Sequence, residues 1–322
     1  MRDSPNLEGG CVRKVRPKIV VVGSSNTDLI VKVPRLPEVG ETVTGGVFSV
    51  APGGKGANQA VQAARLGAEV WFVGRVGEDE FGRARVEDLK REGINTEFVA
   101  WDKGAHSGVA FILVDERGEN MIAVAPGSNA MLSASDVERA EGAIRSADAL
   151  LLQFEIPEEA ILCAERIAKE GGTLVVVNPA PWKGVSEEVF RLADVVAPNE
   201  IEARGIVGKD GSPEELAASI LDKGPKIAVV TLGRRGAVCM ERGGKPTYVS
   251  AFGVEAVDAT AAGDAFCAGL TVALVEGKPL PEAVRFACAC AAIAVTRLGA
   301  QPSLPRREEV EGLLGRPQMA QG

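Results

Sequence analysis

Residues 257–270 read VDATAAGDAFCAGL. Small residues run into a helical pattern whose apolar positions continue to Val275. The first N–H groups of a helix have no intrahelical partner and sit at the positive end of its dipole. Ala261, Ala262, Gly263 and Asp264 present those groups with little side-chain cover, so a large anion can approach them. On one reading Asp264 is an ordinary helix cap. On the other it accepts a proton from an attacking hydroxyl beside the bound anion. An amide nest next to a base is what phosphoryl transfer asks of a protein.

Four further stretches carry polar groups at the ends of apolar runs. Residues 51–60, APGGKGANQA, place Lys55 between glycines ahead of a helical run. A Walker loop would need glycine where Ser49 stands and serine or threonine where Gly56 stands. Glycine packing at a helix start is the simple account. Gly54, Lys55, Gly56 and Asn58 together also suit a polyhydroxylated ligand, because bare backbone, an amine and an amide lie close together. The stretch GSSNTD (23–28) has Ser25 and Asp28 where a dinucleotide fingerprint has glycines. Asn26 and Asp28 are either turn-formers or ligands for sugar hydroxyls. APNEIE (197–202) puts Asn199 and Glu202 after a strand, and TLGRRG (231–236) is a glycine-rich strand-end turn.

The elements that must hold these groups alternate. KIVVVG (18–23), EVWFVGRVG (69–77), ALLLQF, TLVVVN, ADVVAP and KIAVVTLG read as strands. Helical patterns fall at 56–67, after Glu80, near 133–145, 157–170, 213–222, 263–276 and 281–297, with a short one at the C-terminal end. Repeated β-α-β implies an α/β fold, a doubly wound and mostly parallel sheet flanked by helices, with ligands beyond the strands' carboxyl ends. The strands at 28–34 and 42–50 alternate more, and 108–126 is a hairpin around Asp115–Gly118. These are expected to form a small sheet of their own.

Bulk properties exclude several classes. The 322 residues carry a net charge of −8 and no basic block, so a nucleic-acid footprint is not expected. No apolar run nears the roughly 20 residues that span a bilayer, and the polar N-terminus has no signal region. Residues 1–17 read as a disordered leader and 317–322 as a tail, and cytoplasm is the expected location. The six cysteines, Cys11, Cys163, Cys239, Cys267, Cys288 and Cys290, have no CxxC or histidine spacing for zinc. The single histidine, His106, lies in a turn composition before a strand.

Taken in order, the motifs resemble the ribokinase (PfkB) family of sugar kinases, which also holds adenosine kinase and bacterial fructokinases. The likeness runs from about Lys18 to Leu314 and rests on GSSNTD, VGETVTGG, GGKGANQA, NPAP, PNE, AAGD and AAIAVTRLGAQPSLP. It implies one kinase domain over 18–316 with a β-sheet lid from 28–50 and 108–126, often used for homodimerisation. It implies that Asn26, Thr27, Asp28, Gly54, Lys55, Gly56, Ala57, Asn58 and Glu155 bind the sugar. It makes Asp264 the base and Ala261, Ala262 and Gly263 the anion hole. Asn199, Thr231, Leu232, Gly233, Arg234, Arg235 and Gly236 would bind ATP, with Gly263, Asp264 and Cys288. Glu202 would act on Mg²⁺ through water. Asp258, Thr260, Ala294, Arg297, Gly299 and Ser303 match a K⁺ site, mostly through backbone oxygens. Ala259 stands where the family usually has threonine, and Cys288 where the ribokinase pattern often has histidine.

The implied reaction moves the γ-phosphoryl of ATP to the C5 hydroxyl of ribose. Deoxyribose, a nucleoside or a ketohexose are the rival acceptors. A sugar-responsive binding protein without catalysis and a nicotinamide dehydrogenase are the readings from other classes. The first conflicts with the intact AAGD motif, and the second lacks its fingerprint.

Overall fold

An unbroken run of β-branched residues needs cover on both faces. Lys18–Val22 (β1) is such a run, and its four apolar side chains are fully buried. The computed structural model describes residues 16–315. Cys11, nearly all of the expected leader and the expected tail lie outside the described residues. After β1 come β2 (Asn26–Lys32), β3 (Val47–Gly53), α1 (Lys55–Arg65), β4 (Glu69–Gly77), α2 (Glu80–Arg91) and β5 (Val99–Asp102). Next are β6 (Gly108–Val114), β7 (Asn120–Ala125), α3 (Ala134–Glu138), α4 (Glu141–Arg145), β8 (Ala149–Gln153), α5 (Glu158–Gly171) and β9 (Leu174–Asn178). Then follow α6 (Glu187–Leu192), β10 (Val195–Val196), α7 (Glu200–Val207), α8 (Pro213–Leu221) and β11 (Ile227–Thr231). The chain closes with β12 (Ala237–Glu241), β13 (Thr247–Val249), α9 (Ala262–Val275), α10 (Leu280–Ala294) and α11 (Arg307–Leu314).

Nine strands form one sheet in the order β13-β12-β11-β10-β9-β8-β1-β4-β5. All neighbours are parallel except at β11–β12 and β12–β13. The chain winds outward from β1 in both directions, toward β5 and toward β13. The order therefore reverses at β1, and the carboxyl ends of β1 and β8 flank a crevice. Alternation along β1 divides the core: Ile19 and Val21 join the layer of α1, α9 and α10, while Val20 and Val22 join that of α5 and α8.

The lid is a separate four-stranded sheet, β3-β2-β6-β7, with β2 and β6 parallel and the outer pairs antiparallel. Its strands start and end later or earlier than the alternation suggests. Residues 40–46 are turn and coil, and β3 runs on to Gly53, into the motif itself. The helix expected near 133–145 is two short ones: Ser133 caps α3 through a reciprocal box with Asp136, and α4 restarts at Glu141.

One core group is costly. Glu165 on α5 is fully buried, and neither carboxylate oxygen has a partner among the described residues. Burial, with Glu188 and Asp194 nearby, pushes its pKa up to about 9 against the pull of Lys169 and Arg166. Between the ordinary carboxylate range and that value the folded chain holds a proton the unfolded chain has lost. Stability therefore falls as pH rises across that window, by at most about 1.4 kcal/mol per unit. Glu165→Gln, neutral at every pH, is expected to melt several degrees above wild type at pH 8 and level with it near pH 5. Equal melting temperatures at pH 8, read by calorimetry, would show that the carboxyl finds a partner when folded.

Candidate active site

The sugar-loop motif works first as packing. Gly54 opens α1 at φ 88°, a left-handed conformation suited to glycine. A Cβ on Gly54 would lie 2.7 Å from the Asn26 nitrogen, and one on Gly56 2.6 Å from the Ser24 nitrogen. The loop thus lies directly against residues 23–28, tied by the Ala57 N–H donating to the Ser24 carbonyl at 2.9 Å. Glu155, just past β8, accepts from the Ser24 hydroxyl at 2.5 Å and from the Lys55 N–H at 3.1 Å. Asn26 accepts from the Asn129 amide at 2.7 Å. Thr27, between Asn26 and Asp28 on β2, meets Arg85 of α2 through its hydroxyl, 3.4 Å away. Beside these groups a cavity of about 370 Å³ opens between β7 and the end of β8. Asn26, Asn129, Glu155, Val124, Phe154 and Lys183 are among the residues that line it.

Asp264 lies in the first turn of α9 and is buried. Its two oxygens accept from Asn58 Nδ2 and Gln59 Nε2, each at 2.9 Å. The start of α9 and the GGKGAN stretch are therefore joined directly. Asn58 Oδ1 is buried and without a partner among the described residues, an acceptor ready for a hydroxyl. No side chain caps α9, whose N-cap Ala261 is the only non-glycine residue among those described with φ in the left-handed region (58°). The Ala262 N–H donates to the Ala259 carbonyl at 3.2 Å, and a Cβ on Gly263 would meet nothing within 4 Å. The open approach is thus at Gly263 and the amides beside it.

The electrostatics are those of a crowded acidic site. Burial raises Asp28 to about 7, helped by Glu155 and Asp264 and opposed by Arg85. Burial also raises Glu202, against the Asn199 N–H and Lys55. For Lys55 burial works downward, yet Asp264, Glu155 and Glu202 outweigh it and hold the pKa above the ordinary lysine value. Lys55 is thus a firmly charged ammonium among carboxylates.

Asn199 caps α7 and exchanges hydrogen bonds with Glu202: the Glu202 N–H donates to Asn199 Oδ1 at 2.9 Å and the Asn199 N–H to Glu202 Oε2 at 2.8 Å. Thr231 bridges to Asn199 across neighbouring strand ends. Its loop is closed by the Leu232 N–H on the Gly236 carbonyl at 2.8 Å, with Gly233 and Gly236 both at positive φ. Arg235 pairs with Glu200 at 2.7 Å, while exposed Arg234 has no ion pair among the described residues. Cys288 is buried in the α9–α10 layer, its thiol pushed up to about 12 by burial.

Asp258 accepts from the Thr260 N–H at 2.9 Å, the Thr260 hydroxyl at 2.6 Å and the Gly299 N–H at 2.8 Å. Thr260 thus supplies the hydroxyl that Ala259 lacks, and Asp258 ties the turn before α9 to the segment after α10. In that segment Arg297 pairs with Glu309, and the Ser303 hydroxyl donates to the Ala300 carbonyl at 2.8 Å. Ala294, at the end of α10, accepts from the Arg297 N–H at 3.2 Å. Among the described residues no three His, Cys, Asp or Glu side chains cluster as metal ligands.

Sequence reasoning missed Ser24, Gln59, Asn129, Gln153 and Asn178. Two had a readable signal: Gln153 and Asn178 each end a run of apolar strand residues, ALLLQ and LVVVN, where the sheet meets the crevice.

Residues 16–307 match the model of the pfkB family carbohydrate kinases. The chain is 43% identical to the ribokinase of Haemophilus influenzae over 299 residues, 92% of this chain and 97% of that one. It is 35% identical to the deoxyribokinase of Salmonella typhi, over 90% and 96% of the two chains. The structure of Arabidopsis thaliana ribokinase complexed with ribose and ATP superposes with a TM-score of 0.86 at 34% identity, covering 94% of this chain and all (100%) of that one. With a carboxylate at a bare helix start and a glycine-rich loop bonded to it, the chain belongs to the pfkB family and is a carbohydrate kinase.

Proposed function

We propose that this kinase transfers the γ-phosphoryl group of ATP to the C5 hydroxyl of D-ribose, giving ribose 5-phosphate and ADP. The observation that carries this reading is the direct bond between Asn58 of the sugar loop and Asp264 at the uncapped start of α9. The C5 oxygen bonds to the γ-phosphorus while the bond from that phosphorus to the β–γ bridging oxygen breaks. The hydroxyl proton goes to Asp264. The amides at Gly263 hold the charge spread over the transferred group, and Lys55 stands near enough to the carboxylates to balance them. A loose transition state needs little prior activation of the nucleophile, so positioning carries much of the rate. Asn26, Asp28, Asn58 and Glu155 would hold the sugar, and Asn199 with the 231–236 turn the nucleotide.

Bound Mg²⁺ supplies charge neutralisation on the phosphates. Glu202, one oxygen of which holds the α7 cap, would reach it through water. The turn at 258–260 and the segment 294–303 suit a large monovalent cation, because donors already engage both oxygens of Asp258 and leave backbone carbonyls as the ligands. Such an ion, K⁺ in this reading, supplies order to the loop that leads into α9.

Deoxyribose is the second reading, because a relative bearing that activity's name is nearly as similar as several ribokinases. The lid exposes Phe48, Phe111 and Ile122 by 61%, 56% and 57%, and apolar surface of that kind seeks a partner. We assign that partner as the lid of a second copy. No helix among the described residues is long and apolar enough to cross a membrane, and the reading places the enzyme in the cytoplasm with its ATP.

Asp264→Asn is expected to bind ribose and ATP normally and to lose roughly 10²–10⁴ in turnover. A coupled assay over ribose, deoxyribose, nucleosides and ketohexoses tests the acceptor, and near-normal turnover in the variant removes Asp264 as base. K⁺ is expected to stimulate, Na⁺ less so, and an unchanged rate in cation-free buffer would count against the Asp258 site. Phe48→Glu combined with Phe111→Glu is expected to convert a dimer to monomer by sedimentation and to raise the sugar KM. A variant of unchanged mass in solution would remove the lid as the interface.

A further inference from the structure

We propose that Gln59 is a positioning residue that reserves one oxygen of Asp264 as a permanent acceptor, so that the substrate's proton is received on the other. The proposal rests on the reading of Asp264 as base.

The polarity of the surrounding amides follows from one backbone group. The Ala197 carbonyl can only accept, and it takes Asn178 Nδ2 at 3.0 Å. Asn178 must then turn Oδ1 toward Gln59, and it accepts Gln59 Nε2 at 3.1 Å. Gln153 donates to Gln59 Oε1 at 2.6 Å, which holds the same amide from its other end. Held at both ends, Gln59 has one N–H left, and this goes to Asp264 Oδ1 at 2.9 Å. Gln59, Gln153, Asn178 and Asp264 are all buried, so water cannot substitute for a lost member. A proton on Oδ1 would face an N–H that the chain of amides cannot turn away. Oδ2 differs: its partner Asn58 belongs to the sugar loop and has Oδ1 unengaged, so that amide can adjust when the proton arrives.

The titratable groups that act on or with Asp264 are Lys55 of α1, Glu202 of α7 and Asp28 of β2, with Glu155 beyond β8 and the buried Cys267 thiol on α9 itself. None is a member of the amide chain. Removing the Gln59 donor leaves them in place and withdraws one hydrogen bond from the ionised carboxylate, which favours its protonation.

The test measures kcat and sugar KM against pH for Gln59→Leu, with Gln62→Leu as comparison. Gln62 is also buried on α1, but it donates to the Pro305 carbonyl, away from Asp264. Gln59→Leu is expected to lower kcat by roughly ten- to a hundredfold, to leave the KM within about twofold and to move the acid limb of kcat upward by about one pH unit. Gln62→Leu is expected to lower the melting temperature without moving that limb. If Gln59→Leu does not fold, Asn178→Leu removes the group that fixes the Gln59 amide and lets it turn, and the same upward shift is expected. An acid limb that stays at the wild-type position in a folded Gln59 or Asn178 variant overturns the proposal. Full turnover in Asp264→Asn would instead overturn the assignment of the base, so the two failures are distinguishable.

Discussion

The oxygens of a carboxylate taken out of water need hydrogen-bond partners. The two bonds from α1 supply one to each oxygen of Asp264, and much of the architecture serves them. Helix α1 and helix α9 come from distant parts of the chain and lie in the same core layer against the sheet. Alanines and small side chains fill their contact, so the helices approach closely enough for Asn58 and Gln59 to reach across. The same approach sets the uncapped start of α9 beside the sugar loop. On the proposed reading, base, acceptor site and anion cradle are three aspects of one helix–helix contact.

The candidate site is acidic, yet the proposed phosphoryl donor is a polyphosphate. The fold resolves this locally. Lys55 is the cation beside Asp264, Glu155 and Glu202, and those carboxylates raise its pKa against burial. Backbone dipoles at α9 supply the remaining positive field without adding a titratable group. These devices are local, and the overall charge is −8.

Much of this was legible in the residues. β1 announced itself through four consecutive buried β-branched or isoleucine positions, and the start of α9 through its bareness. The GGKGAN stretch departs from a Walker loop in the sequence itself, because Ser49 and Gly56 fail its end positions. The boundary of β3 was not legible: its last residues are the glycines of the motif, whose strand conformation comes from pairing with Asn26–Asp28 rather than from propensity. The break between α3 and α4 was missed because both halves share one apolar face. The amides of Gln59, Gln153 and Asn178 were passed over because a buried amide gains meaning only from its partners, and those come from three separate segments.

The direct passage from β3 into α1 has a mechanical consequence. Lid strand β3 and helix α1 are separated by Gly54 alone, so the lid is no hinged flap on a slack tether. On the proposed reading of Asp264 as base, a displacement of β3 would pass through one left-handed residue to the first turn of α1, where the Asn58 amide bonds that carboxylate.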